Sequence, residues 1–100
     1  MYGNPVYNVL MSNRFDPTKD AINIQKHQLS LAFGDRIFED RAHLIVPSIR
    51  EVDGEDRFKA VGLVQDQLFT GVFVWRDELP RFMSVRRSNS NEERQYRASR

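Results

Sequence analysis

The sequence predicts an α+β fold in which two N-terminal helices and one C-terminal helix pack against an antiparallel meander sheet of three to four strands. Helix signals cover residues 17–38, short apolar segments follow between residues 42 and 86, and further helix signals begin near residue 91. The chain has 100 residues, of which 40% are hydrophobic and 29% are charged. This size and composition indicate a small globular fold.

The first helix is predicted from Pro17 to about His27. Asp16 is a favourable N-cap residue, and proline is well tolerated at the first helical position because its missing N–H is not needed there. Ser30 is predicted to cap a second, short helix that contains Gly34. The apolar residues of this second helix are Leu31, Phe33, Ile37 and Phe38.

Apolar segments separated by turn residues are predicted to form the sheet. These segments are Ala42–Val46, Phe58–Val64, Leu68–Arg76 and Phe82–Arg86, with turns at Asp66-Gln67 and Asp77-Glu78. Pro47 ends the first segment, and Pro80 is expected at a strand start or edge. The segment from Leu68 is apolar on both faces, which is typical of a central strand.

A C-terminal helix is predicted to begin at an Asn91 cap, with Glu92 and Glu93 in its first turn, where the helix dipole favours acidic residues. Residues 81–100 carry six arginines against two glutamates, whereas residues 35–56 carry seven carboxylates against three arginines. The basic end indicates a local anionic partner. A solvated, charged helix end is the alternative interpretation.

The composition excludes several classes of site. The chain has no cysteine, which rules out disulfides and thiolate zinc sites, and the two histidines are far apart in sequence, so that a metal site would depend on carboxylates. The sequence contains no Gly-rich phosphate loop, HExxH or GxSxG motif. We therefore expect no cofactor. Because no apolar run is long enough to span a bilayer and no signal peptide is recognisable, we expect a cytoplasmic protein without membrane contact.

Residues 1–12 are expected to form an N-terminal extension, and residues 13–100 a single domain. The first segment lacks a sustained hydrophobic period and contains a second candidate start at Met11.

The arginine, lysine, histidine, tyrosine and glutamate side chains of this chain are a set that can cleave RNA without a metal. In that chemistry a 2′-hydroxyl attacks its own phosphate, a base removes its proton, cations stabilise the transition state and an acid protonates the leaving oxygen. Lys26 and His27 close the first helix, and Ser84 and Arg86 share one face of the last strand. A histidine at this position is more often a residue that ends the helix than a catalytic base, although it suits either role.

Two further positions have an ordinary structural interpretation beside the functional one. Arg57 follows the acidic loop and is expected to pair with Glu55 or Asp56 if it does not contact a substrate. Glu92 and Tyr96 lie one helical turn apart, which is also the spacing of a pair that docks a helix.

Taken together, these residues resemble the BrnT family of bacterial type II toxins. The resemblance covers roughly residues 13–97 and begins with RFDPTKDAINIQKH, which contains Asp16, Lys19, Asn23, Lys26 and His27. It continues through Ser30, Ile37-Phe38, Glu55, Arg57-Phe58, Gly62, Ser84-x-Arg86-Arg87-Ser88, Glu92 and Tyr96. Gln28, where the family usually has glycine, and Ala32-Phe33, where acidic residues are typical, depart from its pattern.

The resemblance implies a RelE-like fold and a metal-independent endoribonuclease toxin that inhibits translation. The residues expected to be catalytic are Lys26, His27, Arg57, Arg86 and Tyr96, and those expected to bind substrate are Lys19, Ser84, Arg87 and Glu92. The implied partner is a ribbon-helix-helix antitoxin, in a heterotetramer of two toxins and two antitoxins that contacts operator DNA only through the antitoxin. The alternative function is a non-catalytic RNA- or protein-binding module with a basic C-terminal end.

A chain that starts at Met11 is expected to keep the melting temperature and the activity of the full chain, because residues 1–10 lack periodicity and lie outside the resemblance. Thermal unfolding of the two proteins measures this. A loss of more than several degrees would show that the extension packs against the domain.

Overall fold

A computed structural model describes residues 15–48 and 56–100 of the chain. The elements are helix α1 (Pro17–His27), a 3₁₀ turn (Leu31–Phe33), helix α2 (Gly34–Ile37), strands β1 (Leu44–Pro47), β2 (Phe58–Val64), β3 (Gln67–Arg76) and β4 (Leu79–Arg87), and helix α3 (Ser90–Ala98). This confirms the predicted α+β class. The N-terminal extension and most of the acidic loop lie outside the described residues.

Helix α1 has the predicted bounds and cap. The Asp16 side chain accepts hydrogen bonds from the backbone N–H groups of Thr18 and Lys19, at 2.8 and 3.3 Å. The helix ends at Gln28, whose backbone is left-handed (φ 58°, ψ 29°) and whose N–H donates to the Ile24 carbonyl. This conformation stops the helix and satisfies one of its last carbonyls.

Asn23 fixes α1 along the edge of the sheet. Its side chain is buried, donates to the Val85 carbonyl at 2.7 Å and accepts from the Val85 N–H at 3.0 Å. The same amide also donates to the Leu29 carbonyl. Because β4 is an edge strand, Val85 presents unpaired backbone groups there, and Asn23 satisfies both of them.

The prediction that the Ser30 side chain caps the second helix was wrong. Ser30 does precede the 3₁₀ turn, but its side chain makes no cap hydrogen bond. The carboxylate of Asp20 on α1 instead accepts from the Leu31 N–H at 2.7 Å. A neighbouring helix therefore supplies the missing acceptor, and the predicted single helix divides into the 3₁₀ turn and one turn of α-helix.

The sheet is a four-stranded antiparallel meander in the order β1-β2-β3-β4. Strand β2 has the predicted bounds, β4 is longer than predicted, and β1 begins two residues later. The turn predicted at Asp66-Gln67 lies at Gln65-Asp66, and both residues have positive φ, as do Asp77 and Glu78 in the next turn. Two-residue turns with this backbone match the twist of the strands that they join.

A β-bulge at Met83 changes which residues of β4 face each side of the sheet. Val72 pairs with Ser84 but Phe73 pairs with Phe82, which leaves Met83 as the extra residue. Phe82 and Val85 therefore both face the core although they are three positions apart. Ser84 still projects from the opposite face.

The core lies between the sheet and the turns that precede it. Its buried members are Leu31, Ile37, Ala60, Val64, Phe69, Phe73, Phe82 and Val85. The ring of Phe82 lies between two glycines: a Cβ atom added to Gly34 or to Gly71 would lie 2.6 Å from it. Glycine at these positions lets the helix and the strand approach the ring.

Helix α3 begins with a capping box, and the prediction of an Asn91 cap was wrong. The Asn89 side chain accepts from the Glu92 N–H, and Glu92 Oε1 accepts from the Asn89 N–H, both at 2.9 Å. This reciprocal pair satisfies two N–H groups at the start of the helix. The cap therefore lies two residues earlier than expected.

Gly71→Ala is expected to destabilise the fold by about 1–3 kcal/mol, because the added methyl group must displace the Phe82 ring. Urea denaturation measures the loss. In a Phe82→Leu background, where the ring is absent, the same substitution should cost less. An equal cost in both backgrounds would contradict this account of the packing.

Candidate functional site

A groove of about 630 Å³ lies between α1 and the face of the sheet opposite the core. We call it the cationic groove, and it is lined by Lys19, Ile22, Asn23, Lys26, His27, Ser48, Arg57, Lys59, Val72, Met83, Ser84 and Arg86. Helix α1 supplies one wall, because residues 19, 22, 23 and 26 share a face at helical spacing. Strands β2, β3 and β4 supply the floor.

The lining of the groove is strongly positive. It includes three lysines and two arginines, with His27 beside them, and none of its described lining residues is a carboxylate. The side chains of Lys19, Lys26 and His27 make no hydrogen bond or ion pair with any other described part of the chain. The two lysines therefore carry positive charge that is available to attract a polyanion.

Arg86 is held at the groove by a carboxylate that lies behind it. Its Nη1 donates to Glu92 Oε1 and its Nη2 donates to Glu92 Oε2, each at 2.8 Å. Nη1 also donates to the Arg87 carbonyl, so three of the five N–H groups of the guanidinium have acceptors. A quarter of the side chain remains exposed, and two N–H groups of the guanidinium have no acceptor among the described residues.

Glu92 is almost completely buried, and its two oxygens accept from four residues. Besides Arg86 and the Asn89 N–H, these are the Lys59 ammonium at 3.2 Å and the Thr70 hydroxyl at 2.9 Å. Since Thr70 gives its only proton to Glu92, the Ser88 hydroxyl must donate to Thr70, at 2.7 Å. Helix α3 is thereby bound to β2, β3 and β4.

These contacts determine the ionisation of the Glu92–Arg86 pair. Burial alone raises the pKa of the Glu92 carboxyl, but hydrogen bonds from Arg86, Asn89 and Thr70 outweigh it and lower the pKa to about 2. The hydrogen bond to Glu92 raises the pKa of Arg86 in turn. The pair therefore stays charged across the physiological pH range.

The structure brings most of the predicted site residues together. Lys19, Lys26, His27, Arg57, Ser84 and Arg86 line the cationic groove. Arg87 instead lines an adjoining cavity that also contacts Lys26, His27 and Arg86. Glu92 is buried behind the groove, where it contacts Arg86 rather than open space.

Tyr96 is not in the groove. It is buried on α3 with Val61 and Leu68, and its hydroxyl donates to Asp40 Oδ2 at 2.5 Å. Burial and the Asp40 carboxylate both raise the pKa of Tyr96. The same carboxylate accepts from the Leu63 N–H, so this contact joins α3 to β2 and to the segment before β1.

Sequence reasoning missed Lys59, which lines the groove, and Asp40, which contacts Tyr96 outside it. Lys59 is a single charged residue in the apolar strand β2 and lies two positions after Arg57, so that strand alternation would have placed both side chains on one face. Asp40 gave no such signal. Its contact with Tyr96 spans 56 positions and depends on the tertiary fold.

The arrangement of cations, imidazole and hydroxyl groups suits the binding of a phosphodiester and the transfer of protons. The family model described as "Ribonuclease toxin, BrnT, of type II toxin-antitoxin system" matches residues 15–92. The chain belongs to this toxin family. No curated protein matches it at a significant level. As a member of a type II toxin family, the chain has an antitoxin as its partner.

In the described residues, no helix combines the length and apolarity needed to cross a membrane.

Glu92→Gln is expected to destabilise this toxin at pH 7 by about 3–5 kcal/mol, because it leaves Arg86 and Lys59 without their buried counter-ion. The lowered pKa of Glu92 stabilises the wild type fully above its ordinary value of 4.5, and this stabilisation is lost as the pH falls towards 2. The two proteins should therefore converge in stability between pH 4.5 and 2.

Urea denaturation across this pH range measures the effect. Glu93→Gln is the matched control, since the Glu93 carboxylate forms an exposed pair with Arg97 at 3.7 Å. This substitution should change stability by less than about 1 kcal/mol. A Glu92→Gln protein as stable as the Glu93→Gln protein at pH 7 would contradict the buried-pair account.

Proposed function

We propose that this toxin is a metal-independent endoribonuclease that cleaves RNA in the cationic groove and thereby inhibits translation. The observation that carries the proposal is the lining of the groove, in which five cationic residues, one histidine and two serines surround one space. Cationic side chains can supply the transition-state stabilisation that other nucleases obtain from metal ions.

RNA would lie along the groove with its phosphates on the lysines and arginines. Lys19 and Lys26 are exposed and have no protein partner among the described residues, so they are available to bind the backbone. Such contacts release counter-ions, and binding should weaken as the salt concentration rises.

Arg86 and Arg57 would hold the scissile phosphate and stabilise the charge that develops on it. The Glu92 carboxylate positions Arg86, since it binds both terminal nitrogens of the guanidinium and leaves the fork little freedom. Glu92 is therefore a positioning residue in this proposal. Tyr96 has no direct role, because it contacts Asp40 outside the groove.

His27, beside Lys26, would move protons in the reaction. A base removes the proton of the 2′-hydroxyl, the oxygen attacks the adjacent phosphorus, and the bond to the 5′-oxygen breaks as an acid protonates that oxygen. Imidazole is the side chain among the lining residues best suited to accept and donate protons. The products are a 2′,3′-cyclic phosphate and a free 5′-hydroxyl.

The antitoxin partner is proposed to be a ribbon-helix-helix protein in a heterotetramer of two toxins and two antitoxins. Two toxins would bind one antitoxin dimer, in keeping with the symmetry of most assemblies. Operator DNA would be contacted only by the antitoxin, and the complex would act in the cytoplasm.

The purified toxin is expected to cleave single-stranded RNA in the presence of EDTA and to leave 2′,3′-cyclic phosphate ends. An RNA with deoxyribose at the cleaved position should resist, because the attacking 2′-hydroxyl is absent. Mapping of fragment ends measures both. RNA binding without cleavage would favour a non-catalytic binding module, and loss of cleavage in EDTA would contradict the metal-independent mechanism.

His27→Gln is expected to slow RNA cleavage by about 10²- to 10⁴-fold, which is the usual contribution of a proton-transferring side chain. His43→Gln is the matched control, since His43 is the other histidine of the chain and its Nδ1 contacts the Asp40 carbonyl outside the groove. Single-turnover cleavage rates measure the difference. A wild-type rate for His27→Gln would exclude this role.

A further inference from the structure

A second cavity opens beside the cationic groove, at the point where α1 ends and β4 continues into α3. We call it the distal cavity; its volume is about 540 Å³, and it is lined by Lys26, His27, Gln28, Arg86, Arg87, Ser88 and Asn89. Three of these residues, Lys26, His27 and Arg86, also line the groove. The two cavities therefore extend to either side of the same cations.

One of the residues that line the distal cavity and not the groove is an arginine. Arg87 is exposed, and its guanidinium makes no hydrogen bond or ion pair with any other described residue. No carboxylate lines the cavity among the residues that the structure describes. A phosphate next to the one held by Arg86 would find an unneutralised arginine here.

Gln28 gives this cavity an amide. Its backbone is left-handed, a conformation in which a side chain is disfavoured relative to glycine. The amide donates to the Gln25 carbonyl at 3.2 Å, which leaves its oxygen and one N–H without a partner in the described structure. A free acceptor and donor on one exposed amide can bind the edge of an unpaired base.

We propose that the distal cavity is a subsite for the nucleotide next to the scissile phosphate of single-stranded RNA. Arg87 binds the phosphate of this nucleotide, and Gln28 binds the edge of its base and so determines sequence preference. The inference rests on the proposed ribonuclease function and adds to it a substrate class and a specificity-determining residue.

The test is cleavage of a randomised single-stranded RNA pool by the full chain, with all cleaved ends sequenced. Gln28→Gly should change the base preference about fivefold at one position beside the cleaved bond, the worth of a single hydrogen bond. Its melting temperature should be equal to or above that of the wild type, because glycine accepts φ 58° more readily.

Gln65→Gly is the matched control. Gln65 also has positive φ (48°), but it lies in the β2–β3 turn outside both cavities, so that the substitution relieves the same backbone conformation without touching the subsite. It should leave the base preference unchanged. Arg87→Gln should slow cleavage of all sequences alike and reduce the salt dependence of binding, as expected for a phosphate contact.

A Gln28→Gly protein with the wild-type preference and rate would overturn the inference while leaving the ribonuclease proposal intact. A uniform loss of rate at every sequence would overturn it too, because a residue that binds a base edge cannot act on all sequences alike. A wild-type chain that cleaves no RNA would overturn both proposals.

Discussion

The buried carboxylate of Glu92 is the interaction on which the rest of the site depends. It caps α3 through the Asn89 N–H, binds Thr70 in the central strand β3, and holds Arg86 and Lys59 on neighbouring strands. A buried anion is stable only when it is fully paired, and these donors meet that requirement. The same bonds fix Arg86 and Lys59 at the floor of the groove, where two cations against one carboxylate leave a net positive charge.

The bulge at Met83 and the side chain of Asn23 determine where that charge is presented. Without the extra residue in β4, Phe82 and Val85 would not both face the core while Ser84 and Arg86 face the groove. Asn23 then holds α1 against the backbone of Val85, which places Lys26 and His27 opposite Arg86. The fold and the site thus share the same few contacts.

Local signals were sufficient to predict much of this structure. The Asp16 cap, the proline that follows it and the apolar strands specify α1 and the meander, and these features depend on neighbours in the sequence. The cap of α3 was predicted at Asn91, although the spacing from Asn89 to Glu92 is that of a capping box. The burial of Tyr96 against Asp40 and the position of Glu92 behind Arg86 arise from tertiary packing, which no local pattern reports.

The ionisation of Glu92 tests the central claim most directly. The carboxyl carbon of this residue can be followed by NMR in ¹³C-labelled protein as the pH is lowered from 7. The contacts with Arg86, Asn89 and Thr70 predict a transition at about pH 2. A transition near the ordinary value of 4.5 would contradict the account, because it would mean that these donors do not hold the carboxylate and that Arg86 is not fixed at the groove.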